Sequence, residues 1–126
     1  MNVLSLFDGM SCGQIALNEL GFKVDKYFAC EIKKKAIQVT QENFPETIQL
    51  GDVKNVFAKD LPKIDLLIGG SPCQDFSRAN KERKGVEGEK SSLFFEYVRI
   101  SFYFKLLYDS LDLHVFCGLV TFSSLV

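Results

Sequence analysis

Apolar residues come in short runs along this chain, each cut off by glycine, proline or acid. Asn2 to Phe7 ends at Asp8-Gly9, which predicts a buried strand. Cys12 to Leu20 places Ile15, Ala16 and Leu20 on one side and Asn18 and Glu19 on the other, the pattern of a helix, with Gly21 as its stop. Lys23 to Cys30 alternates toward an apolar end and predicts a second strand. Lys33 to Phe44 carries Ala36, Ile37 and Val39 between polar residues, with Pro45 just beyond, and predicts a second helix. Thr47 to Leu50 is a short third strand before Gly51-Asp52, and Ile64 to Ile68 is a fourth, after a loop or short helix. Strands alternating with helices predict an α/β fold with a doubly wound, mostly parallel sheet. Such sheets bind ligands beyond the carboxyl ends of their strands. The residues just past those ends are Asp8-Gly9, Glu31, Asp52 and Ser71-Pro72-Cys73, and they are expected to converge on one crevice.

The second half is patterned differently. Residues 71–92 form a long polar segment with Gly85 and Gly88, a length typical of lids and binding loops. Ser91 or Ser92 is placed to cap a helix over Leu93 to Tyr108, with Leu93, Phe94, Tyr97 and Val98 at helical spacing and Glu96 beyond the cap. Leu113 to Cys117 is a candidate fifth strand, and Leu119 to Val126 is apolar without a predicted element.

Composition narrows the class. At 126 residues, 47% hydrophobic and 25% charged, the chain has the make-up of one ordinary globular domain at most. A net charge of -1 gives no global attraction for nucleic acid, so any such contact needs a local patch. The four cysteines, Cys12, Cys30, Cys73 and Cys117, form no CxxC pair, and His114 is the single histidine. Neither a zinc site nor a disulfide framework is therefore expected. No signal peptide opens the chain and no apolar stretch of membrane-spanning length occurs, so an intracellular protein with reduced thiols is expected, with no membrane and no metal partner.

Four places carry candidate chemistry. Phe7-Asp8-Gly9 through Gly13 is a glycine-containing turn into a helix, which exposes N–H groups to a nucleotide-like ligand or simply makes a tight connection. Glu31 is placed to accept from ribose hydroxyls or to cap the helix that follows; Asp52 is placed to meet an adenine amino group or to act as an N-cap. Cys73 sits between Pro72 and Gln74 after an apolar run and two glycines, in a turn at a sheet edge, which sets it apart from the other cysteines as a nucleophile. Arg78, Lys81, Arg83, Lys84 and Lys90 could contact phosphates, or form a solvated loop offset by Glu82, Glu87 and Glu89.

Taken together these motifs resemble the DNA (cytosine-5) methyltransferase family over about residues 1 to 100. Phe7-Asp8-Gly9 with Gly13 resembles its cofactor motif, Glu31 and Asp52 its ribose- and adenine-contacting acids, Gly70-Ser-Pro-Cys-Gln-Asp-Phe-Ser77 its catalytic motif, and Leu93-Phe-Phe-Glu96 the helix start after it. The resemblance implies a Rossmann-like, S-adenosylmethionine-dependent fold, incomplete here. It implies Cys73 as nucleophile, with Phe7, Asp8, Gly9, Gly13, Glu31 and Asp52 on the cofactor side. It also implies double-stranded DNA as partner of the full-length enzyme, in a DNA-methylation or restriction-modification role, with the Ser77–Ser92 loop closing over a flipped base. Related enzymes with the Pro-Cys-Gln motif act on RNA, which is the alternative substrate.

The resemblance also has gaps. The family's Glu-Asn-Val strand end is expected where this chain reads His114-Val-Phe-Cys-Gly-Leu-Val120, and the later arginine motif and target-recognition region have no counterpart. The expected division is a cofactor and catalytic-loop part, 1–100, and a divergent apolar tail, 101–126, such as a frame change would produce. The isolated chain is then expected to be inactive: a cofactor-binding remnant, or half of a split enzyme that a C-terminal fragment would complement.

Overall fold

The computed structural model describes residues 1–70, 89–107, 112–113, 115–117 and 120–122. Five strands form one parallel sheet in the order β3-β2-β1-β4-β5, with β1 Asn2–Leu6, β2 Lys26–Cys30, β3 Ile48–Gln49, β4 Leu66–Gly69 and β5 Asp112–Leu113. The register sets Asn2 to Leu6 beside Lys26 to Cys30 on one side, and Val3 to Leu6 beside Leu66 to Gly69 on the other. The chain builds outward from β1 to β3, then returns to place β4 on the opposite side of β1. The carboxyl ends of β1 and β4 therefore flank the point where the winding reverses, the place where such sheets bind ligands.

β1 is buried on both faces, which explains why its sequence reads as a nearly continuous apolar run. Leu4 and Leu6, with Phe28, Cys30, Ile64 and Leu67, pack against two short 3-10 turns (Val53–Asn55 and Ala58–Asp60) and a long helix, α3 (Glu89–Leu107). On the other face Val3, Tyr27 and Ala29 meet Leu17 of helix α1 (Cys12–Glu19). α1 ends as its sequence predicts: Gly21 N–H donates to the Asn18 carbonyl and Phe22 N–H to that of Leu17, the paired bonds of a glycine-terminated helix. The second helix, α2 (Lys34–Asn43), is tied to its surroundings by Thr40, whose hydroxyl donates to the Gly9 carbonyl, and by Gln41, which donates to the Thr47 carbonyl.

Three elements differ from expectation. α3 begins at Glu89, two residues before the candidate serine caps, because nothing after Gly88 breaks a helix. The expected Leu113–Cys117 strand is divided: Asp112–Leu113 joins the main sheet, while β6 (Val115–Cys117) pairs antiparallel with β7 (Val120–Phe122). β7 has no counterpart in the hydropathy reading, since an apolar stretch that short carries no period. α3 buries Tyr97, Ile100, Ser101 and Phe104 at helical spacing, yet its remaining surface exposes Phe94, Phe95, Phe102, Leu106 and Leu107.

No described helix is long and apolar enough to cross a membrane. Among the described residues no group of His, Cys, Asp and Glu could hold a metal ion.

Candidate active site

A cleft of about 300 Å³ opens at the carboxyl edge of the sheet. Four of the sheet's five strands send residues to it: Phe7 and Gly9 after β1, Glu31 to Lys33 after β2, Gly51 to Val53 after β3, and Gly70 after β4. Cys30 and Leu93 of α3 complete the wall. Of the residues expected on the cofactor side, Phe7, Gly9, Glu31 and Asp52 line this cleft; Asp8 and Gly13 do not.

The turn that follows β1 is unusual. Phe7, Gly9 and Ser11 all have φ near +60°. For Gly9 that conformation is free of strain, and no atom lies within 4 Å of the place a Cβ would take. For Phe7 and Ser11 it costs about 1–2 kcal/mol each, so the surroundings must impose it. Asp8 does part of this from behind the cleft. Its backbone N–H donates to the Cys30 carbonyl at 3.0 Å, and its carboxylate accepts from the Tyr27 hydroxyl at 2.8 Å and from the Ser11 hydroxyl. Gly13 works by close approach: a Cβ there would lie 2.6 Å from Ile68 Cδ1 and 3.0 Å from the Tyr27 oxygen.

Glu31 spans the gap between β1 and β2. Its Oε2 accepts from Gly9 N–H at 2.9 Å, and its Oε1 accepts from Ile32 and Lys33 N–H, both at 2.9 Å. A carboxylate has about four acceptor sites, so one is unused among the described residues. Asp52 caps the first 3-10 turn by accepting from Lys54 N–H at 3.0 Å through Oδ1; Oδ2 accepts nothing among the described residues. That turn is clamped from α3: Arg99 Nη2 donates to the carbonyls of Val53 and Val56 at 3.3 and 3.0 Å, while its Nε pairs with Glu96 at 2.8 Å. Sequence reasoning did not identify the Arg99 clamp or the Tyr27 contact. Both depend on register between distant segments, which hydropathy does not report.

The cysteines separate. Burial, reinforced by the charges of Asp8 and Asp52, pushes the Cys30 thiol up to about 12, so it stays protonated and unreactive near neutrality. Cys12 is exposed. Cys73, with the rest of residues 71–88 and the basic side chains there, lies outside the described residues.

A parallel doubly wound sheet with acids and a glycine turn around a cleft at its winding reversal defines the Rossmann-like class of nucleotide and methyl-donor folds. The comparisons place the chain more finely. The C-5 cytosine-specific DNA methylase family matches residues 1–102, and the chain belongs to that family. It is 41% identical over 100 residues to the orphan methyltransferase M.SPRI of Bacillus phage SPR, covering 78% of this chain and 23% of that protein. It is 36% identical over 114 residues to the DNA (cytosine-5)-methyltransferase DRM2 of Arabidopsis thaliana, covering 79% and 18%. It is also 36% identical over 101 residues to the type II methyltransferase M.NgoBV of Neisseria gonorrhoeae, covering 77% and 24%. The chain thus spans about a fifth of the length of these relatives. Among solved structures, Dnmt2 methyltransferase of S. pombe superposes with a TM-score of 0.63 at 24% identity, covering 79% of this chain and 31% of that one. A DNMT2 mutant of Spodoptera frugiperda superposes at 0.62, also at 24% identity, covering 79% and 30%. These two likenesses establish the methyltransferase fold.

Proposed function

We propose that the chain is the cofactor- and nucleophile-bearing part of a DNA cytosine-5 methyltransferase. The observation that carries this is the meeting of Gly9, Glu31, Asp52 and the exit of β4 at one cleft, in a member of this family. The cleft fits S-adenosylmethionine. Glu31 keeps one acceptor site for a ribose hydroxyl, Asp52 Oδ2 is available to an adenine amino group, and among the described lining residues two carboxylates against one lysine, Lys33, suit a ligand carrying a sulfonium cation. Phe7 and the glycine turn lie on the same wall and serve the remainder of the ligand. When bound, that cofactor supplies an electrophilic methyl group.

Cys73 follows Gly70 by three residues in the sequence and is the proposed nucleophile. Its thiolate adds to carbon-6 of a flipped cytosine, forming a C–S bond and making carbon-5 nucleophilic. With S-adenosylmethionine bound, its methyl group would be available to carbon-5; loss of the carbon-5 proton with cleavage of the C–S bond would then free Cys73 and restore the base. Catalytic groups that act as a unit fail together. The chain alone, without a Glu-Asn-Val segment or target-reading region in its sequence, is therefore expected to bind cofactor and not turn over.

Calorimetry with S-adenosylhomocysteine tests the binding half. Binding by the wild-type chain, weakened about tenfold or more by Glu31→Gln, supports the reading; charged hydrogen bonds are worth about that much. No binding at millimolar ligand overturns it. Transfer of labelled methyl to duplex DNA by the purified chain, lost in Cys73→Ser, would refute the expectation of inactivity. Transfer to RNA in place of DNA, after complementation with a separately expressed C-terminal half, would reassign the substrate.

A further inference from the structure

The face of the glycine turn that points away from the cleft carries a hydrogen-bonded set that the proposed reaction does not use. Tyr27, on β2, is only 3% exposed, and its hydroxyl donates to Asp8 Oδ1 at 2.8 Å. The other oxygen of the same carboxylate accepts from Ser11, which is fully buried. Gln14 extends the set, donating from Nε2 to the Ser11 oxygen at 3.2 Å and to the Thr47 hydroxyl at 2.7 Å. The set thus runs from β2 through the turn and α1 to the residue before β3. All of it lies behind Phe7 and Gly9, the two turn residues that line the cleft.

Three features indicate what it does. Phe7 and Ser11 occupy a left-handed conformation that neither would hold unaided, and Ser11 is fixed there by Asp8. Among the described residues Asp8 in turn has one partner outside the turn for its carboxylate, the Tyr27 hydroxyl, supplied by a strand locked in register with β1. Gly13 leaves the space that hydroxyl occupies, since a Cβ there would sit 3.0 Å from it.

We propose that Tyr27 is a positioning residue for the cofactor-receiving turn, acting through Asp8. Asp8 then serves the site from behind and does not contact the ligand. Burial and the Asp8 charge push the Tyr27 hydroxyl well above the usual phenol range, so it remains a donor at every pH where the protein is used. Tyr27 is thereby distinct from Glu31, which acts at the cleft surface. The inference rests on the reading that the cleft takes S-adenosylmethionine.

The test is Tyr27→Phe in the full chain, which removes one oxygen and keeps the packed ring. Affinity for S-adenosylhomocysteine is expected to fall about tenfold or more, as for a lost bond to a charged acceptor. Because the two residues act as a unit, adding Asp8→Asn to Tyr27→Phe should weaken binding less than the sum of the two single changes. Amide hydrogen exchange should quicken in residues 8–12 while residues 3–6 and 27–30 keep their protection. Unchanged affinity with unchanged turn exchange overturns the proposal. So does faster exchange spread evenly through β1 and β2, which would mark Tyr27 as ordinary core. If the wild-type chain binds no S-adenosylhomocysteine, the cofactor reading fails, and the exchange comparison alone still decides whether Tyr27 holds the turn.

Discussion

Gly69→Ala probes the contact on which the whole site depends. Gly69 is the last residue of β4 and pairs with Leu6, the last of β1, at the winding reversal. A methyl group there would lie 2.5 Å from the Leu6 carbonyl oxygen, 3.1 Å from its Cβ and 3.2 Å from its carbonyl carbon. Two of these three atoms are backbone in a strand buried on both faces, so no rotamer change relieves the overlap. Relief requires β1 and β4 to move apart by several tenths of an ångström, against a packed core. Overpacking of this kind costs about 1–3 kcal/mol. With roughly 4–8 °C lost per kcal/mol in a domain of about a hundred residues, thermal unfolding followed by circular dichroism should show a midpoint about 10 °C lower. Gly9→Ala is the control. No atom lies within 4 Å of its would-be Cβ, so its cost is the left-handed backbone alone, about 1–2 kcal/mol. A Gly69→Ala chain that melts within 2 °C of wild type would refute the close approach of β1 and β4.

Two further outcomes follow from burial. The Cys30 thiol is pushed up to about 12 from 9.0 and the Tyr97 hydroxyl to about 12 from 10.0, in both cases chiefly by burial. The unfolded chain therefore releases protons that the folded chain keeps. Stability is whole below about pH 9 and falls between pH 9 and 12; a urea midpoint flat from pH 8 to 10.5 would contradict this. In a chain with Cys73 and Cys117 changed to Ser, a thiol reagent at pH 8 should modify Cys12 and spare Cys30 until denaturant is added. The exposed apolar face of α3 should drive self-association seen by size-exclusion chromatography. Phe102→Lys with Leu106→Lys should relieve it without lowering the melting midpoint, because those side chains are 72% and 86% exposed. A wild-type chain that elutes as a concentration-independent monomer would count against that.

The legibility of the fold followed what period and punctuation can encode. β1 and β4 are apolar runs ended by Asp8-Gly9 and Gly69-Gly70, so their position and the convergence of their ends were readable from sequence. Helix α1 was readable to its terminating Gly21 because that cap is local. The tail was not: β5 and β6 are separate strands in different sheets, and a single apolar run cannot say where it divides. Tyr27 was hidden for a different reason. In sequence it is one apolar position of a strand; its hydroxyl acquires a partner only because β1 lies beside β2 in register and the turn folds Asp8 back. Arg99 was hidden likewise, since its acceptors Val53 and Val56 lie more than forty residues away.

The sequence left Glu31 and Asp52 each with two competing readings, a ligand acceptor or a backbone cap. The geometry shows the cap in both cases, and under the proposed function the two readings are compatible. Glu31 caps the N–H groups of Ile32 and Lys33 and holds Gly9, and those bonds keep its carboxylate at the wall of the cleft. Asp52 caps the turn that Arg99 clamps, with its second oxygen left over. An acceptor already immobilised by the backbone has its rotamer entropy settled during folding. It then avoids a cost of about 0.5–1.5 kcal/mol per side chain when ligand arrives. On the proposed reading, capping is the means by which these acids become ligand-ready, and the proposed Tyr27–Asp8 pair applies the same economy to the turn between them.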